Sequence, residues 1–336
     1  MNKYKLKRIY RSCLNLLPRQ WARKLNLVLR CLLEDWDFAV NIYLFSSDFA
    51  DLEETEIRKR LAGLDENSVR CAETYVRRCR NLERLKGHPF SDGSKVLVCS
   101  SAFKDEIMCP PEAPAELKDY QKKYGFKIGA EVLIYQHGLV FWKEKVSPYL
   151  KGKIFIDAGA CIGELVPAFL EYEPSKIYAF EPSQKNVRRF QKEMAKRRIT
   201  QDKVEIVPAA LGNKNGVMSF DDCGGAGQAL TENAGSERCN VMLLDDFCTQ
   251  RGTSNIGLLK ADVEGMGLAL CKGAVNMIKR DRPVLILAAY HNREELLGQY
   301  EYLNRELENY YFELRDLPSN SSFEITLIGI PRETVK

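Results

Sequence analysis

The stretch from Lys153 to Pro182 constrains the fold of this chain more than any other. Three apolar residues, Ile154, Phe155 and Ile156, lead into Asp157, and two glycines four apart, Gly159 and Gly163, follow at once. A short apolar run that stops at glycine reads as a buried parallel strand entering a tight turn before a helix. Glycine there lets the backbone come close to a ligand, and the helix it opens presents unpaired N–H groups. A second apolar run, Ile177 to Phe180, ends in Glu181, 18 residues past Gly163. A carboxylate only accepts hydrogen bonds, so at the end of a second strand it suits the paired hydroxyls of a ribose. Strand, glycine turn, helix, strand and acid make a nucleoside-binding unit.

The spacing narrows the choice of nucleoside. A dinucleotide fingerprint requires G-x-G-x-x-G, whereas this turn is Asp157-Ala-Gly159-Ala-Cys-Ile-Gly163. That is the D-x-G-x-x-x-G form of S-adenosylmethionine-dependent methyltransferases. A nicotinamide-dependent oxidoreductase on the same half-fold is disfavoured for want of the third glycine. Taken alone, the same residues also fit a plain glycine turn followed by a solvated glutamate.

From residue 151 onward the alternation is regular. Strands at 154–158, 177–181 and 204–208 enclose helices at 163–171 and 184–198, which burial and chirality force into a parallel sheet with ligands at its carboxyl ends. Ile256 to Gly265 supplies a fourth strand and its crest, Arg282 to His291 a fifth. Asp262, Glu264 and His291 therefore converge beside the nucleoside crevice. The glycine-rich loop 223–227 sits where a lid over a substrate would be, and Asp245 and Asp246 read as a structural helix cap. A helix over 293–309 and two last strands, 311–315 and 323–330, close the chain as an antiparallel hairpin at the sheet's margin.

Residues 1–92 read as a helical region, 93–150 as a mixed connecting segment and 151–336 as the nucleoside-binding domain. In the connecting segment, Lys95 to Ser100 reads as a strand, and Glu131 to Tyr135 and Leu139 to Trp142 flank Gln136-His137-Gly138 with hairpin character. His137 reads there as a turn residue that could overhang the site, and His88 as a surface residue in a loop. The net charge of +4 is too small to imply a nucleic-acid partner, but it is unevenly spread. Residues 1–33 hold nine lysines and arginines and no acid, alongside an apolar stripe that includes Leu14, Leu17 and Trp21. Such a helix packs on its own domain or makes weak peripheral contact with an anionic membrane surface. The eleven cysteines form no C-x-x-C pair and read as free thiols of a reducing, cytoplasmic compartment, with Cys161 a small filler in the glycine turn.

Phe155-Ile-Asp-Ala-Gly-Ala-Cys-Ile-Gly163, Tyr178-Ala-Phe-Glu-Pro182, Leu244-Asp-Asp, Leu259-Lys-Ala-Asp-Val-Glu-Gly265, Lys272-Gly-Ala274, Arg282-Pro283 and Tyr290-His291 resemble, in order, the motifs of the FkbM-type methyltransferase family. The resemblance implies a class I methyltransferase fold, a Rossmann-like α/β architecture whose doubly wound, mostly parallel sheet has seven strands. It also implies S-adenosylmethionine as cofactor and methyl transfer to a hydroxyl, often on a sugar, glycan or secondary metabolite. The cofactor is expected against Asp157, Gly159, Cys161, Gly163, Glu181, Pro182, Ala209 and Asp262, and no metal is expected. His291, whose unperturbed pKa near 6.5 suits proton abstraction near neutrality, is the expected general base. Asp262 would orient it or the acceptor, and Glu264 would hold the base or a second hydroxyl. The chain departs from the family at Gly267 and at Ala288 or Ala289, where relatives commonly carry acids. A catalytically silent cofactor-binding or scaffold protein on the same fold is the alternative.

Overall fold

The computed structural model describes residues 46–86, 114–220, 230–231, 237–317 and 324–335. The chain divides into two compact units, residues 1–51 with 76–109 and residues 52–75 with 110–336. The expected basic helix of residues 1–33, the strand at 95–100 and the glycine loop at 223–227 lie outside the described residues. Within the first unit, a short 3-10 turn, Ser47–Phe49, buries Phe49.

In the second unit, α1 (Glu54–Arg60) carries its acids in the first turn and its bases in the last, which complements the helix dipole. The helix α2 (Glu66–Lys86) starts in this unit, where Asp65 Oδ1 accepts from the backbone N–H groups of Asn67 and Ser68, both at 2.9 Å. Its Ala72 and Tyr75 are buried, while Arg70 faces solvent.

The segment before the sheet corrects one expectation. After α3 (Leu117–Tyr124), residues 130–142 form no hairpin: they are α4 (Ala130–Leu133) and a 3-10 helix, Gln136–Trp142, followed by α5 (Lys143–Leu150). Apolar runs of four or five residues carry no period that separates strand from helix. Tertiary packing decides here, because Gln136 Oε1 accepts from the Tyr172 hydroxyl at 2.6 Å and Trp142 Nε1 donates to Glu313 at 2.8 Å. Both anchors bind the segment to the sheet domain, so it has no need of a strand partner.

The sheet follows. Its early strands are β1 (Ile154–Ala158), β2 (Lys176–Phe180) and β3 (Val204–Val207), with α6 (Val166–Leu170) and α7 (Gln184–Lys196) between them. Next comes a small sheet of β4 (Ala210–Leu211), β5 (Gly216–Phe220), β6 (Leu230–Thr231) and β7 (Glu237–Met242), in the order β4-β7-β5-β6. Then run α8 (Leu244–Arg251), β8 (Ile256–Ala261), α9 (Gly267–Gly273), α10 (Val275–Asp281) and β9 (Val284–Ala288). A π turn, Glu294–Gly298, leads through α11 (Gln299–Glu306) to β10 (Tyr310–Asp316) and β11 (Ile325–Pro331). Asp245 caps α10 by accepting from the N–H groups of Asn276 at 3.1 Å and Met277 at 2.7 Å.

The seven-stranded sheet has the order β10-β11-β9-β8-β1-β2-β3. All pairings are parallel except those of β11, which runs against both β9 and β10. The interior strands β8 and β9 are buried along their whole length, as parallel strands covered on both faces must be. Strand order reverses between β1 and β8, and the crevice above such a switch point is where open α/β sheets bind ligands.

Candidate active site

A cavity of about 240 Å³ opens above the carboxyl ends of β1, β2, β8 and β9. Asp157, Gly159, Cys161, Glu181, Pro182 and Ala209 line one part of it, and Asp262 and Glu264 another. Gly163 and His291 are not in its wall. The glycines serve the protein's own packing before any ligand's. At Gly159 (φ +73°) a Cβ would stand 1.7 Å from the Asp262 carbonyl oxygen, and at Gly163 (φ +78°) one would stand 2.1 Å from the Phe190 ring. Glycine thus lets the crest after β8 and the helix α7 close on the β1 turn. The helix after the turn starts only at Val166, and of the turn's own N–H groups those of Cys161 and Ile162 donate to Glu181 and Glu164.

Glu181 is buried at the end of β2. Its carboxylate accepts from the N–H groups of Cys161 and Ser183, each at 2.9 Å, and from Asn186 Nδ2 at 3.4 Å. Two carboxylate oxygens offer about four acceptor sites, so part of this capacity faces the cavity. Burial pushes its pKa up to about 7 against the pull of those donors. Glu164, which accepts from Ile162 N–H at 3.0 Å, is also raised by burial to about 7. The Cys161 thiol is raised by burial as well, with Glu164 and Glu181 adding to the effect, so it stays an uncharged filler.

Beneath the turn, Asp157 and Lys260 form a buried pair, Nζ to Oδ1 at 3.1 Å. The approach is off the hydrogen-bonding direction, since Lys260 Nζ donates instead to the Gly159 carbonyl at 2.9 Å, and both Asp157 oxygens are left without an aligned donor. The pair is therefore electrostatic, and the Asp157 oxygens retain capacity for a donor from the cavity. Burial raises the Asp157 pKa, with Lys260 pulling against it.

Asp262, Glu264 and His291 do meet. His291 Nε2 lies 3.2 Å from Glu264 Oε2 and 3.5 Å from Asp262 Oδ1, and its Nδ1 lies 2.6 Å from Glu295 Oε2. Burial disfavours a charged ring, but Glu295 and Glu264 outweigh it and hold the His291 pKa well above its ordinary value. Carboxylates thus stand at both ring nitrogens of His291, the expected base, and favour its charged form. Burial alone would raise the Asp262 pKa, yet His291, Lys260 and His137 together hold it below the usual range. The Tyr290 hydroxyl donates to Asp262 at 3.3 Å.

The departure at Gly267 also finds its reason here. A Cβ at that position would come 2.7 Å from Gln299 Oε1 and 2.9 Å from Glu295 Oε1, and Gly267 N–H donates to the same Glu295 oxygen at 2.9 Å. The carboxylate comes from the π turn, 28 residues onward. Ala288 and Ala289 are both buried.

Sequence reading missed several wall residues. Glu131 and Glu324 line the far part of the cavity, beside the turn residue His137 that was expected to overhang it, and Lys260 its floor. Lys260 had a signal, a lysine inside an otherwise apolar strand, but the others come from segments whose path no local pattern reveals. Burial raises the pKa values of Glu131 and Glu324, each further raised by Asp262. Among the described residues, no cluster of His, Cys, Asp and Glu has the arrangement of a metal site.

The strand order, the reversed β11 and a carboxylate-lined crevice at the switch point define a class I methyltransferase fold. Residues 157–314 match the methyltransferase FkbM domain. No curated protein sequence matches the chain. Among solved structures, the methyltransferase FkbM from Methylobacillus flagellatus KT is similar, with a TM-score of 0.52 and 17% identity over 82% of this chain and 57% of that one. The chain thus spans a little over half the length of that protein. The O-methyltransferase from Bacillus cereus, solved in complex with SAH, has a TM-score of 0.41 and 10% identity over 59% of this chain and 81% of that one. No described helix is long and apolar enough to cross a membrane.

Proposed function

We propose that the chain is an S-adenosylmethionine-dependent O-methyltransferase acting on a hydroxyl of a sugar, glycan or secondary metabolite. The observation that carries the reading is the pair of orphaned Asp157 oxygens opening on a crevice walled by Glu164, Glu181, Asp262 and Glu264. Such a crevice favours a ligand with positive charge and hydrogen-bond donors. S-adenosylmethionine fits that demand, with a sulfonium, an ammonium and a ribose diol. Glu181 would hold the diol and Asp157 the ammonium, with Pro182 and Ala209 beside the base. When bound, the cofactor supplies an electrophilic methyl group. What the chain's own residues do is orient: the Asp262, Glu264, Tyr290 and His291 group fixes the acceptor hydroxyl in line, and proximity is the larger part of the rate.

The acceptor end carries Glu131, Asp262 and Glu324, all hydrogen-bond acceptors when ionised, which suits a partner bearing several hydroxyls. Calorimetry with S-adenosylhomocysteine, followed by labelled methyl transfer to a panel of glycans and polyols, tests the reading. Binding with transfer to a hydroxyl supports it. Binding without any transfer favours the silent protein, and shifts with NAD alone would return the oxidoreductase.

A further inference from the structure

We propose that His137 is the catalytic base of this reaction, taking the proton of the acceptor hydroxyl; the assignment rests on the methyl-transfer reading above. A base must offer a neutral nitrogen lone pair to the reacting oxygen. Of the chain's three histidines, His88 is outside the described residues and His291 faces carboxylates at both nitrogens. His137 is 7% exposed, lines the cavity and makes no hydrogen bond or ion pair among the described residues. Burial, reinforced by Lys260 and His291 against the opposing pull of Asp262, lowers its pKa to about 4 and keeps the ring neutral across the physiological range.

Its placement is equally specific. Gln136, His137 and Gly138 all have positive φ, at 50°, 50° and 103°. Consecutive left-handed residues are costly for side chains with a Cβ and persist only where neighbours over-determine them. Here the Tyr172 hydroxyl holds Gln136, and Gly138 lies against Ile328 of β11, where a Cβ would meet the side chain at 2.8 Å. The kink so fixed sets His137 over the β9 and β11 end of the crevice. A nucleoside held by Glu181 at β2 would leave the part of the cavity lined by His137, Glu131, Tyr290 and Glu324 to the acceptor.

The step balances in atoms and charge. The hydroxyl oxygen gives an electron pair to the methyl carbon, the carbon–sulfur pair leaves with sulfur, and the O–H proton passes to the imidazole nitrogen. One sulfonium charge is lost and one imidazolium charge gained, close enough to Asp262 for its carboxylate to stabilise the new cation.

The test uses full-length protein labelled with [13Cε1]histidine, whose three resonances are assigned by His88→Gln and His137→Gln. In the S-adenosylhomocysteine complex, the His137 resonance is expected to shift on loading and to remain that of a neutral ring from about pH 6 to about pH 8. A ring that titrates above about pH 7 in the complex, or ignores the ligand, overturns the proposal. In turnover with the polyol panel, His137→Gln should lower kcat by roughly 10²- to 10⁴-fold with S-adenosylhomocysteine affinity unchanged. Full turnover in that variant overturns the assignment of His137 alone, whereas wild-type protein that binds no S-adenosylhomocysteine overturns the methyl-transfer reading beneath it.

Discussion

Glu295 Oε2 stands 2.6 Å from His291 Nδ1, one turn away along the chain, and Glu264 holds the opposite ring nitrogen at 3.2 Å. The ring is thereby clamped as a cation between carboxylates from two elements. Removing one partner of a buried pair leaves the other uncompensated, so Glu295→Gln should destabilise the protein by about 3 kcal/mol. The folded pKa of His291 lies well above its ordinary 6.5. Its contribution is thus fully present below about pH 6.5 and is lost as pH rises through the raised value. Chemical denaturation across that range should show the gap between wild type and Glu295→Gln narrowing toward alkaline pH.

Glu181 governs the cofactor's ribose in this reading. Loss of a charged hydrogen-bond acceptor costs about 1.5–3 kcal/mol, so Glu181→Ala should weaken S-adenosylhomocysteine binding roughly ten- to a hundredfold. With its pKa near 7, wild-type Glu181 is half protonated near neutrality in the free protein. Binding the ionised form must expel that proton, so affinity should fall as pH drops below about 7, by at most about tenfold per pH unit. Calorimetry in buffers of different ionisation enthalpy would count the proton released. A pH-independent affinity would remove Glu181 from the clasp.

Lys260 and Asp157 are both buried under the turn. Lys260→Met leaves the aspartate without its cation and should cost about 3–5 kcal/mol, read as a lowered Tm. Adding Asp157→Asn should restore part of that loss, because the pair is then absent rather than broken. The double variant would remain unable to bind S-adenosylhomocysteine tightly, which separates the stability role of Asp157 from its ligand role.

Gly163 touches Phe190, not the cavity. Gly163→Ala meets both a left-handed backbone and an aromatic ring at 2.1 Å, and should cost about 2 kcal/mol or more. Pairing it with Phe190→Leu should recover about 1 kcal/mol, the signature of two residues in contact. Thermal melts of the two single variants and the double variant give that coupling directly.

Much of the fold was legible from the length of the apolar runs and the turn residues that bound them. The runs at 154–158, 176–180, 204–207, 256–261 and 284–288 are almost wholly buried, and each is too short for a helix and bounded by turn or polar residues, so it reads as a strand. The segment 130–142 was not legible, because a few apolar residues beside a glycine fit a hairpin as well as two short helices. Only Tyr172, Trp142 and Glu313, each distant in sequence, choose between them.

The sequence by itself determined the strand and turn pattern, the carboxylates at the strand ends and the match of residues 157–314 to the methyltransferase FkbM domain, since these follow from local spacing. Tertiary structure alone decided which charge each group holds. The sequence offers His291 as a base, and only the fold brings Glu295 and Glu264 to its two ring nitrogens, where they favour the charged form. Protonation depends on burial and on charges within a few ångströms, and those distances exist only after the chain has closed on itself.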